Sequence, residues 1–191
     1  MTRSRSHTVT FGKMKFLIMV EINKNVKLSE HFTLAEMTKT SVKTADGNIP
    51  SHVHIENLKR LCGWLERLRQ RCNEKPHPLT PSPKGEGEAY GSEGKEEPII
   101  INSAYRSVAV NKAVGGAATS NHLTGCAADI RCLGIEQAIR YAFILLDISA
   151  ESQEAFDELL IEQSAKSIWV HFAVRPEGNR RKVDYLKNVK I

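Results

Sequence analysis

Apolar residues recur at helical spacing at Ile55, Leu58, Leu61, Cys62, Leu65 and Leu68, which predicts one amphipathic helix from about His54 to Cys72. Its opposite face carries Lys59, Arg60, Glu66, Arg67 and Arg71, a pattern that reads as solvated. A second helix is predicted over "IEQAIRYAFILLD", with Ile135, Ala138, Ile139, Ala142, Phe143 and Leu146 as its apolar positions. Ahead of both, Thr33 and Glu36 form a T-x-x-E capping box, which starts a short helix at Leu34. Four apolar or β-branched runs predict strands: Ile99 to Asn102, "AADIRCL", "ELLIEQ" and "SIWVHFAV". The last two form a hairpin across "SAKS". Together these elements predict an α+β fold, a small, mainly antiparallel sheet with helices packed on it.

The pattern fails in two places. From about residue 74 to 97 the chain reads "EKPHPLTPSPKGEGEAYGSEGKEE", where proline, glycine and charge leave almost nothing to enter a core. Such a stretch cannot offset its ordering entropy, so it reads as a flexible insertion between a helix and a strand. Residues 1–26 read as a loosely ordered extension. Within them "FLIMV", Phe16 to Val20, follows Lys13 and Lys15 like a weak signal segment, but Glu21 interrupts it and no small-residue cleavage site follows. The run is also far too short to cross a bilayer, so no transmembrane segment is expected. Residues 27–191, with the insertion, are expected to make a single domain and a monomer.

Composition adds bounds rather than chemistry. In 191 residues, 41% are hydrophobic and 26% charged, an ordinary balance that argues against a wholly disordered chain. The net charge of +5 would suit an acidic polymer, yet no RNA-binding or helix-turn-helix signature accompanies it, so nucleic acid is not an expected partner. Cys62, Cys72, Cys126 and Cys132 form no C-x-x-C pair, which makes a thiolate zinc site improbable and favours free thiols. His7, His31, His52, His54 and His77 lie in tails, turns or the insertion and read as solvated.

The candidate chemistry lies elsewhere. In "SNHLTGCAADI" His122 precedes Asp129, and Gly125 with the β-like "DIRC" argues against one continuous helix carrying both. A loop histidine and a strand aspartate would approach one ion from different elements. His171, in "WVH", supplies a third ligand, which makes the nitrogen and oxygen set of a catalytic zinc ion with one open position. Glu162 ends "LLIE", and the hairpin would bring it onto the face of His171, where it is the natural base for a metal-activated water. Each residue also has a plainer reading. His122 and Asp129 could be a polar loop and a strand end, His171 a satisfied core histidine beside Trp169, and Glu162 an exposed strand-end charge.

These residues resemble a known family. "SNHLTGCAAD" is similar to the S-x-H-x-x-G-x-A-x-D signature of the zinc D-Ala-D-Ala carboxypeptidase family. "INSAYRS", "NKAVGG" and "WVHFAV" resemble its neighbouring blocks in the same order, and "LSEHFTLAEMTKTS" and "ENLKRLCGWLERLR" resemble its phage- and Bacteroidetes-type branch. The resemblance runs from about Leu28 to Val174. It implies a hedgehog/DD-peptidase-like fold, one zinc ion (Zn2+) held by His122, Asp129 and His171, and cleavage of peptidoglycan stem peptides. It further implies that Arg106 binds substrate or orients the site, and that Ser120 hydrogen-bonds in the cleft or behind a ligand. Two positions depart from the pattern: Ile168 stands where many relatives carry the acid of E-x-x-H, and Ala104 replaces the glycine of "SGYRS". Glu162 is similar to the acid of the phage-type branch. The resulting expectation is a zinc metallopeptidase, D,D-carboxypeptidase or endolysin-type endopeptidase, made in the cytoplasm and acting at the cell wall. The alternative is a non-catalytic zinc-binding module, structural or wall-binding, of the same fold.

Overall fold

The computed structural model describes residues 26–74 and 96–187. The expected N-terminal extension, apart from Val26, lies outside the described residues, as does the expected insertion between residues 75 and 95. Helix α1, Leu34–Met37, starts as expected: the Thr33 hydroxyl accepts from the Glu36 N–H at 3.2 Å. Helix α2, His52–Asn73, begins two residues earlier than the spacing predicts. Ser51 caps it, and the His54 ring accepts from the Ser51 N–H, standing in for the usual Glu or Gln of a capping box.

The remaining elements are β1 Ile101–Ser103, α3 Val108–Ala113, a 3-10 turn Asn121–Thr124, β2 Ala127–Cys132, α4 Ile135–Ser152, β3 Glu158–Gln163, β4 Ile168–Ala173 and β5 Lys182–Lys187. They form one five-stranded sheet in the order β1-β2-β4-β3-β5. All neighbours are antiparallel except β3 and β5, which run parallel. The class is therefore α+β, as expected. One face of the sheet, with Ala128, Ile130, Leu159, Val170 and Phe172, packs against α2 and α4. There Leu58, Leu61, Cys62, Leu65 and Leu68 are fully buried, and Trp64 stacks near Phe172 with ring centroids 5.2 Å apart. Each fully buried leucine contributes about 1.5–3 kcal/mol. The other face of the sheet remains available for chemistry.

Four expectations need correction. First, α4 is turned about its axis relative to the predicted face: it buries Ala138, Tyr141, Ala142, Leu145 and Ile148 and exposes Ile135, Ile139 and Phe143. The helix is apolar on two sides, so spacing admits two phases. Polar anchors select one, because Tyr141 donates its hydroxyl to Glu97 at 2.8 Å and Ser149 bonds the Glu154 carbonyl at 2.7 Å. Second, β1 begins at Ile101 rather than Ile99, and Glu96 and Glu97, inside the stretch read as insertion, are among the described residues. Glu97 is tied to Gln137, Arg140 and Tyr141 of α4. Third, β5 has no counterpart in the hydrophobic pattern, since its residues are largely exposed. Main-chain pairing with β3 holds it, and its lysines blunt the free edge. Fourth, His31 and His54 are not simply solvated: His31 Nδ1 lies 2.8 Å from Glu66 Oε2, and His54 packs 5.0 Å from the Tyr105 ring. His52 is exposed, and His7 and His77 lie outside the described residues.

All four cysteines are free, with Cys62, Cys126 and Cys132 buried. Among the described residues no helix is long and apolar enough to cross a membrane.

Candidate metal centre

The stretch between His122 and Asp129 is shaped by one glycine. Gly125 closes the 3-10 turn at φ 72°, and a Cβ there would lie 2.7 Å from the His54 carbonyl oxygen. Only glycine meets both demands. The turn redirects the chain into β2, so His122 approaches from the end of the sheet while Asp129 rises from the strand. The Ser120 hydroxyl, at the start of the turn, accepts from the His122 backbone N–H at 3.3 Å.

Strand register does the rest. Asp129 pairs with His171 across β2 and β4, His171 pairs with Leu160, and Glu162 pairs with Trp169 across β4 and β3. Paired residues share a face and alternate residues return to it. Hence Asp129, His171, Trp169, Glu158 and Glu162 all project from the face opposite the helices.

The structure brings His122, Asp129 and His171 together, with one potential ligand atom from each all lying within 4.8 Å of one another. His122 Nε2 is 3.2 Å from Asp129 Oδ1, and His171 Nδ1 is 2.9 Å from the same oxygen. Zinc bonds of about 2.0–2.1 Å at tetrahedral angles would separate neighbouring ligand atoms by about 3.3 Å. Two edges of the expected coordination polyhedron are therefore nearly in place.

Hydrogen bonding supports a cation at this point. His122 Nδ1 is 2.6 Å from the Ala104 carbonyl oxygen, which only accepts, so Nδ1 carries the hydrogen. The ring's Nε2 then faces Asp129 Oδ1, the direction in which a shared cation would sit. The tautomer and ring direction are fixed from behind, as metal-ligating histidines require. Ala104, the departure at "SAYRS", is not among the positive-φ residues, so its side chain costs the turn nothing.

Asp129 is held from behind as well. Arg106 donates from Nη2 to Oδ2 at 2.5 Å and from Nε to the Ser103 hydroxyl at 2.8 Å, leaving Oδ1 toward the histidines. Burial alone would raise the Asp129 pKa; the imidazoles of His122 and His171 outweigh it and hold the carboxyl well below the usual range. Burial likewise opposes the charge on His171, but Asp129 and Glu158 beside it push its pKa up to about 9. Both shifts describe a site built for positive charge.

Glu162 sits in a different environment. Burial pushes its pKa up, and the negative charge of Asp129 adds to this against the opposing pull of His171 and Trp169. Its Oε2 accepts a 2.6 Å hydrogen bond from the Trp169 indole. A carboxyl whose pKa burial raises, beside a candidate metal-ligand cluster, has the character of an acid/base group.

Sequence reasoning missed a second carboxylate pair. Glu158 Oε2 lies 3.6 Å from His171 Nε2, and Glu158 accepts from Asn121 at 2.9 Å. His171 beside it, with Asn121 and Arg180, draws its pKa down to about 2 against burial. The neighbouring Asp157 is fully buried and accepts from Asn121, Arg175 and Arg180, which ties the turn before β2 to the start of β3 and the approach to β5. The available signal was the polar pair in "FDELL", which interrupts an apolar run. Asn48 was also missed: it bonds the Thr38 and Tyr105 carbonyls and the Ser107 N–H, and so fixes the "SAYRS" loop.

A family model described as Peptidase M15, a family of zinc peptidases, matches residues 88–171. That stretch contains Arg106, Ser120, His122, Asp129, Glu162 and His171. The match supports a metallopeptidase, a hydrolase, with zinc as the plausible ion for the candidate site. No curated protein matches the chain.

Proposed function

We propose that this chain is a zinc metallopeptidase that cleaves peptidoglycan stem peptides, as a D,D-carboxypeptidase or an endolysin-type endopeptidase. The observation that carries the reading is the convergence of His122 Nε2 and His171 Nδ1 on Asp129 Oδ1, with Glu162 on the same sheet face. The ordered blocks from Leu28 to Val174 that resemble the zinc D-Ala-D-Ala carboxypeptidase family support the substrate class.

His122, Asp129 and His171 would hold one zinc ion. Bound there, zinc supplies Lewis acidity, polarising the scissile carbonyl and making the attacking water more acidic. Glu162 takes that water's proton and passes it to the departing amine, a task suited to a carboxyl whose pKa burial has raised. Arg106 keeps Asp129 turned toward the histidines, and its Nη1, which makes no hydrogen bond among the described residues, is free to meet a substrate carbonyl or carboxylate. Ser120 shapes the His122 turn through its hydroxyl oxygen and keeps its own proton for the substrate.

Purified chain, with and without added zinc and chelator, is incubated with defined muropeptides and the products are weighed by mass spectrometry. Release of terminal D-alanine, or scission of a cross-bridge, is expected with zinc and lost with chelator. A zinc-replete chain that produces neither overturns the proposal.

A further inference from the structure

Two carboxylates, Glu158 and Glu162, flank His171 on the open sheet face, and their surroundings differ. Glu158 is committed: Asn121 donates to Oε2 at 2.9 Å, and Arg180 Nη2 lies 2.9 Å from Oε1. Glu162 accepts a single hydrogen bond among the described residues, from Trp169 Nε1 at 2.6 Å. Trp169 is itself buried, 8% exposed, and is paired with Glu162 across β3 and β4. An indole has two side-chain torsions and a rigid ring, so its N–H is a fixed point. A glutamate has three torsions and points where its partners hold it.

We infer that Trp169 is a positioning residue for Glu162, its indole N–H clamping Oε2 so that Oε1 is left free to take and return the proton. The inference rests on the reading of Glu162 as the base. It assigns "WVH" a second purpose: one strand carries a metal-ligand candidate at His171 and, two residues earlier on the same face, the group that aims the base. The bond donates to the charged carboxylate and so favours it. Without it Glu162 would hold its proton to higher pH and sample other rotamers.

The test compares Trp169→Phe with the wild-type chain, both zinc-loaded, on a muropeptide the wild type cleaves. Expected is a fall in kcat of about ten- to a hundred-fold, the usual cost of losing a group that orients a site residue. KM and zinc content should be unchanged, and the acidic limb of the kcat/KM profile should move to higher pH. A second readout needs no activity. The chain has two tryptophans, so 15N labelling of the full chain gives two indole signals, and Trp169→Phe identifies one. That signal should lie downfield in the metal-free protein and move on Glu162→Gln. A Trp169→Phe chain with wild-type kcat and pH profile, or an indole signal indifferent to Glu162→Gln, overturns the inference. Failure of the underlying reading looks different, because the wild type then cleaves nothing even if the indole signal responds.

Discussion

His171 Nδ1 faces Asp129 Oδ1 at 2.9 Å across directly paired positions of β4, the central strand of the sheet, and its neighbour β2. A metal centre built this way inherits its precision from main-chain ladders rather than from loops. His122 alone arrives on a turn, and that turn is pinned at Ser120, Gly125 and the Ala104 carbonyl.

Replacing Glu162 by Gln separates catalysis from binding. Shape is kept and the proton acceptor is lost, so kcat should fall by about 10²- to 10⁴-fold, the range general acid–base catalysis supplies. Zinc content, measured by plasma mass spectrometry, should stay at the wild-type value. Parallel loss of zinc would mean that Glu162 is part of the ligand set instead.

The pH dependence follows from the direction of the Glu162 shift. Burial raises its pKa above the ordinary 4.5, and only the deprotonated form accepts a proton. Activity should therefore fall on the acid side as Glu162 takes up its proton, at a pH that the charge of the bound ion lowers from the metal-free value. The kcat/KM profile of the zinc-loaded chain measures it, and Glu162→Gln should remove that limb.

Gly125→Ala tests the turn. A Cβ at 2.7 Å from the His54 carbonyl, at positive φ, must displace backbone, at a cost of about 1–3 kcal/mol for the strained conformation. Thermal unfolding should register the loss, and weaker zinc affinity should accompany it as His122 shifts. Retained affinity in a destabilised variant would uncouple the turn from the site.

Asp157→Asn tests the anchor beneath the site. Burial would raise the Asp157 pKa, but Arg180, Arg175 and Asn121 donate to it and hold it far below the ordinary 3.8. The sign follows: its stabilisation is present above the unfolded value and is lost as pH falls through the folded one. The variant should lose about 1.5–3 kcal/mol near neutrality, the worth of charged hydrogen bonds to a buried carboxylate whose arginine partners stay partly exposed. It should also lose less further stability than wild type on acidification. Urea unfolding at several pH values reads both effects.

The parts of this molecule that were legible in the sequence are those that bury one face. Leu58, Leu61, Leu65 and Leu68 announce α2 because a single stripe meets the sheet. The phase of α4 was not legible, because Ile135, Ile139 and Phe143 mimic a core stripe while lying exposed. Strand β5 carries almost no burial and hence no signal; a parallel ladder to β3 holds it. In the site, His122 and Asp129 stand out by their spacing about Gly125, and His171 as a third possible ligand on a later strand, and the structure brings all three together. Asn48, Arg175 and Arg180 do not stand out, since loop residues joined by hydrogen bonds follow no period. Glu158 was overshadowed by Glu162, and only coordinates distinguish the tethered carboxylate from the freer one.

If His122, Asp129 and His171 hold one zinc ion as proposed, anomalous diffraction at the zinc edge from crystals of the zinc-loaded chain will locate it. A single strong peak is expected about 2.0–2.2 Å from His122 Nε2, Asp129 Oδ1 and His171 Nδ1, absent from crystals of His122→Ala. No peak there, or a peak held by other residues, would contradict the proposal.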